Sequence, residues 1–373
     1  MRKFIPVNKP LITKADASSV GKVVESGWIS SEGTNVKRFE DKFSKFIGHK
    51  YGVAVSSGTA ALEIAVKSLN LNKNDEVIIP NFTIISNALA VIKLGLKVKL
   101  VDCDLRDWNM NIKKIEEAIS FKTKAIIATH IYNFPLRIDI LKKICKKKKI
   151  SIIEDAAEVL GQKIFKKKCG SFGNISTFSF YANKQITTGE GGMITTDSKK
   201  IYDKMVSLRN LSFGKKNRFN HDDIGWNYRM SNIQATLGIS QLNRINNIVK
   251  IRHSVGLRYY KNLSSNKNIF IPEPKKKFAQ NIYWVVGILI INKKIKLDAE
   301  KVMKKLKILR IGTRPFFWPM NKQKILKKFI ANKSNNFLNS EYISKYGFYL
   351  PSSLSIKNSD IDYICREVNN ILK

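Results

Sequence analysis

Short apolar segments alternate with longer segments of helical period between about residues 50 and 200. Strands that are buried on both faces appear as nearly continuous runs of Val, Ile and Ala, whereas helices show an apolar residue at every third or fourth position. This alternation predicts an α/β fold with a mostly parallel sheet and crossover helices. The predicted strands lie at residues 51–55, 76–79, 98–101, 125–129, 150–153, 177–180 and 193–195.

The pattern changes beyond residue 230. A helix is predicted over 232–251, because one face carries the apolar residues Ala235, Ile239, Leu242, Ile245 and Val249. A strand at 283–291, a helix at 298–306 and a terminal helix at 359–372 follow, and Ser359 and Asp360 are suited to cap the last of these.

The chain has 373 residues, which is long enough for a large core and a smaller second one. We therefore predict a large domain at 1–245, including an N-terminal segment, and a small C-terminal α+β domain at 246–373. Glycine and proline are too sparse for a long flexible linker, so we expect the two domains to pack closely.

The net charge of +38 raises the question of a nucleic-acid partner. Lysines are spread along the chain without interleaved aromatic residues, which argues against specific nucleic-acid binding. No apolar run approaches the roughly 20 residues of a membrane-spanning helix, and the start lacks the apolar region of a secretory signal. We expect a cytoplasmic protein without membrane insertion. The four cysteines and four histidines are too scattered to predict a metal site.

Three segments carry candidate chemistry, and the first is 56–62. Ser57, Gly58 and Thr59 follow a predicted strand and open a helix, where backbone amides and the helix dipole favour a phosphate group. An alternative is a plain capped helix start, with Thr59 as the cap and Gly58 in the turn.

The second segment, 152–158, places Asp155 at the carboxyl end of a buried strand, the edge where open parallel sheets bind ligands. An acidic group there is suited to partner the ring nitrogen of a pyridoxal cofactor. A helix cap is the alternative role for Asp155.

The third segment, 176–193, places Lys184 between a strand and the Gly-rich turn 189–192. A lysine at this position is suited to form a Schiff base with the cofactor and then to shuttle a proton. Desolvation and a nearby cation would lower the pKa of its amine. Most lysines in a chain with 67 basic residues are solvated surface charges, so the prediction rests on the surrounding segment.

Together with 154–161 and Gly225-Trp226-Asn227-Tyr228-Arg229-Met230, these segments resemble the DegT/DnrJ/EryC1/StrS family of sugar aminotransferases along nearly the whole chain. The resemblance implies an aspartate-aminotransferase-like fold (fold type I), pyridoxal 5′-phosphate as cofactor with pyridoxamine 5′-phosphate as intermediate, and L-glutamate as amino donor. It also implies a homodimer with active sites shared between subunits.

Within the family, segments 28–31, 179–193 and 227–235 are most similar to members that aminate carbon 4 of GDP-4-keto-6-deoxymannose to give GDP-perosamine. UDP- or dTDP-linked keto sugars remain alternative acceptors. Lys184 argues against the dehydratase members, which carry His at this position. A catalytically silent partner protein and a nucleic-acid-binding protein are the alternatives from other classes.

The resemblance also assigns cofactor contacts. It implies that Gly58, Thr59 and Ser179 bind the cofactor phosphate, with Ser57 as a further cofactor contact. Asp155 would bind the pyridine nitrogen, and Glu158 would lie beside the phenolic oxygen. Asn227 would reach the phosphate from the partner subunit. Ile84 replaces an aromatic residue that usually stacks on the cofactor, a loss of about 0.5–1.5 kcal/mol.

The substrate contacts are less closely defined. Trp28 and Ser30 belong to one of the similar segments, and Arg218, Arg229 and Arg314 have the planar guanidinium groups that suit a pyrophosphate. Structural ion pairs are an equal alternative for each arginine. The chain departs from the family pattern at Asn133, usually Gly, and at Trp318 and Asn321, which are His in similar members.

Overall fold

The computed structural model describes residues 2–214, 217, 219–221, 223–292, 294–332 and 336–373. The strands in these residues are β1 (Tyr51–Val55), β2 (Glu76–Pro80), β3 (Lys97–Val101), β4 (Thr123–Thr129), β5 (Ser151–Asp155), β6 (Lys163–Ile164), β7 (Lys167–Lys168), β8 (Ile175–Ser179), β9 (Gly192–Thr196), β10 (Ile269–Phe270), β11 (Lys275–Lys276), β12 (Ala279–Gln280), β13 (Val286–Ile290), β14 (Arg314–Pro315) and β15 (Gly347–Leu350).

The α-helices are α1 (Lys14–Glu25), α2 (Thr34–Ile47), α3 (Gly58–Ser68), α4 (Ser86–Ile92), α5 (Ile112–Ala118), α6 (Ile138–Lys148), α7 (Lys199–Arg209), α8 (Asn232–Leu242), α9 (Ile245–Leu263), α10 (Ala299–Ile308), α11 (Leu338–Tyr346) and α12 (Asn358–Ile371). Two 3₁₀ turns occupy Met320–Lys322 and Lys324–Leu326. Each described helix is too short or too polar to cross a membrane.

The larger sheet has seven strands in the order β1-β9-β8-β5-β4-β2-β3. Neighbouring strands are parallel except where β9 pairs with β1 and β8. All seven predicted strands are present, and each begins and ends within two residues of its predicted bounds. The structure therefore confirms the predicted α/β class with a mostly parallel sheet.

Both faces of this sheet are apolar. In β2, Val77 and Ile79 belong to the core on one face and Ile78 to the core on the other, and all three are fully buried. The same alternation holds in β1, where Ala54 lies opposite Val53 and Val55. Because helices cover both faces, ligands reach this sheet at the strand ends and not at a face.

The predicted helix 232–251 is wrong as a single element. The structure has two helices, α8 and α9, separated at Asn243 and Arg244. The apolar positions on either side of the break stay in the same phase, and no Gly or Pro marks it.

The predicted cap at Ser359 and Asp360 is also wrong, because α12 begins at Asn358 and both residues lie in its first turn. The cap of α10 is Asp298, which accepts a hydrogen bond from the Lys301 amide.

The C-terminal part contains a four-stranded antiparallel sheet, β10-β13-β15-β14. Apolar side chains of α9, α10 and α12 pack on it. The predicted strand 283–291 is confirmed in its centre as β13, which is shorter. The domain boundary at 245/246 stays a prediction; α9 begins at Ile245.

The N-terminal segment, residues 5–11, contacts both parts of the chain. Ile5 pairs with Ile311, accepting from the Gly312 amide and donating to the Arg310 carbonyl. Farther along, the Val7 carbonyl accepts from the Ser352 amide. The Leu11 carbonyl accepts from the side chains of Gln241 and Arg244.

A glycine in α9 tests the packing of this helix against the C-terminal part. A Cβ atom on Gly256 would lie 2.0 Å from Cδ2 of the buried Tyr283. We expect Gly256→Ala to lower the free energy of unfolding by about 1–3 kcal/mol through overpacking. Gly21 in α1 has no atom within 4 Å of its Cβ position, so Gly21→Ala should raise stability by about 0.5–1 kcal/mol. Denaturant unfolding measures both effects, and equal changes in the free energy of unfolding for the two variants would contradict this packing.

Candidate active site

A cavity of about 340 Å³ opens where β4, β5 and β8 end beside the start of α3. All the predicted cofactor residues except Asn227 line it: Ser57, Gly58, Thr59, Ile84, Asp155, Glu158, Ser179 and Lys184. The segments 56–62, 152–158 and 176–193, far apart in the sequence, therefore meet at one edge of the larger sheet.

The amine of Lys184 is buried against an aromatic ring and a carboxylate. Its Nζ lies 3.8 Å from the centroid of the Trp284 ring and 3.9 Å from Oε1 of Glu158. Burial lowers the pKa of the Lys184 amine, and this outweighs the opposite effect of Glu158 and Asp155. A larger fraction of Lys184 is therefore unprotonated near neutral pH than of an exposed lysine.

Glu158 is buried beside the lysine and held by the backbone. Its Oε2 accepts a hydrogen bond of 2.7 Å from the Tyr132 amide, and Tyr132 has a left-handed backbone with φ of +55°. Burial raises the pKa of the Glu158 carboxyl, although Lys184 and the Tyr132 amide both favour the charged form. Glu158 and Lys184 thus form a close pair in which burial opposes the charge on both groups.

Asp155 ends β5 and is also buried. Its Oδ1 accepts from the Ala157 amide at 3.2 Å, which fixes the carboxylate at the cavity. Burial raises its pKa in spite of that bond and of nearby Lys184. The side chain does not cap a helix: the described helices that flank it are α6, which ends before it, and α7, which begins far beyond it. A ligand that brings a cationic N–H group would therefore stabilise its charged form.

A buried hydrogen bond between a histidine and a carboxylate supports this strand end from behind. Oε1 of Glu154 lies 3.0 Å from Nε2 of His130, whose Nδ1 accepts from the Leu136 amide. The imidazole proton therefore lies on Nε2. Glu154 also accepts from the amides of Gly170, Phe172 and Gly173. Burial would raise the pKa of Glu154, but the His130 bond and these amides lower it, so the side chain is charged.

The start of α3 is shaped to bind an anion. Ser57 is the N-cap and accepts from the Ala60 amide at 3.1 Å, so the alternative of Thr59 as the cap is wrong. The amides of Gly58 and Thr59 lie in the first turn, where no helical carbonyl is available to them. A Cβ atom on Gly58 would lie 2.9 Å from Cβ of Ser179. The glycine thus allows the helix start and the end of β8 to approach closely around the cavity.

Several predicted residues lie outside the cavity of their own chain. Asn227, Trp28 and Ser30 are exposed, with Trp28 at 66%. Arg229 donates to Oδ1 of Asn210, and Arg314 lines a neighbouring groove with residues of the N-terminal segment. Arg218 lies outside the described residues. The ligand contacts proposed for these residues stay predictions.

The departures from the family pattern have different surroundings. Ile84 lines the cavity and is 46% exposed, so an aliphatic side chain stands at the open side of the site. Asn133 is fully buried, and its side-chain amide has no hydrogen-bond partner among the described residues. Asn321 accepts from Nδ2 of Asn81 and donates to Glu341, while Trp318 is largely exposed. Asn321 therefore has a structural function in this chain.

An aromatic wall on one side of the cavity is absent from the residues predicted for the site. Tyr132 stacks on Phe317 with ring centroids 5.0 Å apart, and Trp284 stacks at 5.9 Å on Tyr132. Tyr349 completes this wall on β15. These residues come from four distant segments and form no motif, so only tertiary structure brings them together.

The charge of Glu158 provides a test of the buried pair. Because its carboxylate favours protonated Lys184, Glu158→Gln should lower the pKa of the amine further. We expect acylation of Lys184 by an amine-selective reagent, followed by mass spectrometry, to have its pH midpoint at lower pH. Glu190 also lines the cavity but is exposed, and Glu190→Gln should leave the midpoint unchanged. A midpoint that moves to higher pH in Glu158→Gln would contradict the pairing.

The chain is similar to known proteins along nearly its whole length. A GDP-perosamine synthase of Escherichia coli O157:H7 is 35% identical over 367 residues, which cover 98% of each chain. Among solved structures, Helicobacter pylori PseC, an aminotransferase involved in pseudoaminic acid biosynthesis, is similar in fold, with a TM-score of 0.93, 24% identity and 99% of each chain covered.

A GDP-4-keto-6-deoxymannose-3-dehydratase with a trapped PLP-glutamate geminal diamine has a TM-score of 0.89 and 25% identity, covering 99% of this chain and 100% of the other. These similarities confirm the predicted fold class of the sugar aminotransferases. The model of the DegT/DnrJ/EryC1/StrS aminotransferase family matches residues 10–369. The chain therefore belongs to the DegT/DnrJ/EryC1/StrS aminotransferase family.

Proposed function

We propose that this chain is a pyridoxal-phosphate-dependent aminotransferase that transfers an amino group from L-glutamate to carbon 4 of a nucleotide-linked 4-keto-6-deoxy sugar. GDP-4-keto-6-deoxymannose is the proposed acceptor and GDP-perosamine the product. The observation that carries the proposal is the buried amine of Lys184 at the end of the larger sheet, within reach of Glu158. The 35% identical GDP-perosamine synthase supports the choice of acceptor.

The residues of the cavity fit the cofactor. The amides of Gly58 and Thr59 and the hydroxyl of Ser179 are suited to the phosphate, because the helix start is positive and only a glycine fits there. Asp155 is suited to the ring nitrogen, since a protonated nitrogen would compensate its buried charge. The solved relative with trapped PLP-glutamate supports both the cofactor and the donor.

Pyridoxal phosphate supplies, when bound, an aldehyde that reacts with amines and a ring that withdraws electrons from the substrate carbon. Lys184 Nζ moves the proton at that carbon, and its lowered pKa leaves it able to accept one. Glu158 lies beside the amine, and its raised pKa leaves it able to take up a proton there. The wall formed by Tyr132, Trp284 and Phe317 excludes water from this exchange.

We further propose that the active protein is a homodimer with shared sites. Asn227, Trp28 and Ser30 are exposed away from the cavity of their own chain, as expected for residues that serve the cavity of a partner. Arg229, next to β1, and Arg314, beside the cavity, are proposed to bind the pyrophosphate of the nucleotide sugar.

Removal of the lysine tests the proposed chemistry. Lys184→Ala should reduce transamination by roughly 10²–10⁴-fold or more, because the proton carrier is lost. Lys166, an exposed lysine, gives the matched control, and Lys166→Ala should retain full turnover. Borohydride treatment of the wild-type holoenzyme should attach the cofactor covalently to residue 184, as read by mass spectrometry. Undiminished turnover of Lys184→Ala would remove this residue from the mechanism.

A substrate panel tests the proposed acceptor. With glutamate as donor, GDP-4-keto-6-deoxymannose should give a kcat/KM at least about tenfold above UDP- and dTDP-linked 4-keto-6-deoxy sugars, which is about 1.4 kcal/mol of discrimination. Product formation is measured by mass spectrometry of the aminated sugar. Preference for a UDP- or dTDP-linked sugar would leave the proposed transamination in place but would overturn GDP-4-keto-6-deoxymannose as the acceptor.

A further inference from the structure

Arg252 on α9 is buried, at 3% exposure, and its described hydrogen-bond partners are all backbone carbonyl groups. Nη1 donates to the carbonyls of Trp284 at 2.9 Å and Ser352 at 3.1 Å. Nη2 lies 3.4 Å from the carbonyl of Asn183 and 3.5 Å from that of Lys184. The guanidinium thus joins three segments of chain at one point.

This arginine differs from two others that are partly buried. Arg209 pairs with Glu40 and Arg244 pairs with Asp16, whereas no carboxylate among the described residues forms an ion pair with Arg252. An unpaired buried cation costs several kcal/mol of desolvation. Burial lowers the pKa of Arg252 to about 10, so it still carries its charge at neutral pH. A neutral side chain would have avoided this cost, so the charge calls for a functional explanation.

The carbonyls that Arg252 binds belong to the surroundings of Lys184. One is the carbonyl of Lys184 itself, and another belongs to Trp284, whose ring lies against Nζ of Lys184. Nε1 of Trp284 and Nδ2 of Asn8 donate to the same Asn183 carbonyl that faces the guanidinium. The backbone of the lysine and the ring that packs on its amine are therefore fixed relative to each other through Arg252.

We propose that Arg252 is a positioning residue that holds the Lys184 backbone against Trp284 and places a positive charge behind the lysine amine. The inference rests on the proposed function, because it assigns Arg252 a part in the chemistry of Lys184. It adds a residue that makes no contact with the cavity: Arg252 acts from behind the lysine.

The charges that face Lys184 come from different elements. Asp155, at the end of β5, and Glu158, just beyond it, favour its protonated form, and Arg252 on α9 opposes them. The phenol groups of Tyr132 and Tyr349 also interact with the charge of Glu158. Removal of the Arg252 charge should therefore raise the pKa of the amine, while burial of the amine continues to lower it.

Two variants separate the charge of Arg252 from its hydrogen bonds. Arg252→Gln removes the charge, so the pH midpoint of Lys184 acylation in the full-length chain should rise by about half a pH unit or more. Arg252→Lys keeps the charge but cannot reach both pairs of carbonyls, so the midpoint should stay near wild type. Turnover of Arg252→Lys with glutamate should fall roughly ten- to hundredfold, because the lysine is misplaced.

Arg258 on the same helix provides the matched control. It pairs with Asp362 away from the site, so Arg258→Gln should change neither the midpoint nor turnover. A purely structural role for Arg252 would lower the melting temperature of Arg252→Gln without moving the midpoint, and this would overturn the proposal. If Arg252→Gln does not fold, Arg252→Lys decides alone, because wild-type turnover in that variant would also overturn it.

The acylation measurement needs no cofactor. A wild type without transaminase activity would overturn the proposed function, yet its acylation midpoint would still report the effect of Arg252. Normal turnover of the wild type with equal midpoints in all folded variants would overturn only the present inference.

Discussion

The amine of Lys184 is buried near the carboxylates of Asp155 and Glu158 at the edge of the larger sheet. The surrounding residues offset the free-energy cost of that burial. Desolvation of Lys184 outweighs the attraction of Asp155 and Glu158, so the amine is biased towards its neutral form. The hydrogen bond between His130 and Glu154 holds the end of β5, and with it Asp155, in place. A lysine on the surface of this very basic chain would have neither a desolvated amine nor a fixed position.

The sheet could be predicted from the sequence because its strands are apolar on both faces and are separated by polar turns. The break between α8 and α9 could not, since the apolar face continues through Asn243 and Arg244 without a glycine or proline. The start of α12 differs from the prediction because its first turn contains two residue types that favour caps, whereas the helix begins one residue earlier without a side-chain cap.

The residues of the candidate site also fall into two groups, those that the sequence predicts and those that it does not. Gly58, Asp155 and Lys184 stand in short motifs whose residue types have a local physical reason, so the sequence predicts that they meet. Trp284 and Arg252 belong to no motif: one buried arginine among 67 basic residues carries no signal until its four carbonyl partners are known. Local motifs therefore identify the groups proposed to contact ligands, whereas the residues that position those groups become visible only in the folded chain.

The N-terminal segment limits how the two parts of the molecule can move. Between Ile5 and Leu11 it binds the backbone at 310–312 and at Ser352, then the side chains of α8 and of Arg244. Asn8, in the same segment, binds the carbonyl before Lys184. A hinge rotation of the C-terminal sheet as a rigid body would break several of these bonds, each worth about 0.5–1.5 kcal/mol. We therefore expect substrate to enter through local rearrangement of loops at the mouth of the cavity, and not through rotation of the whole C-terminal sheet.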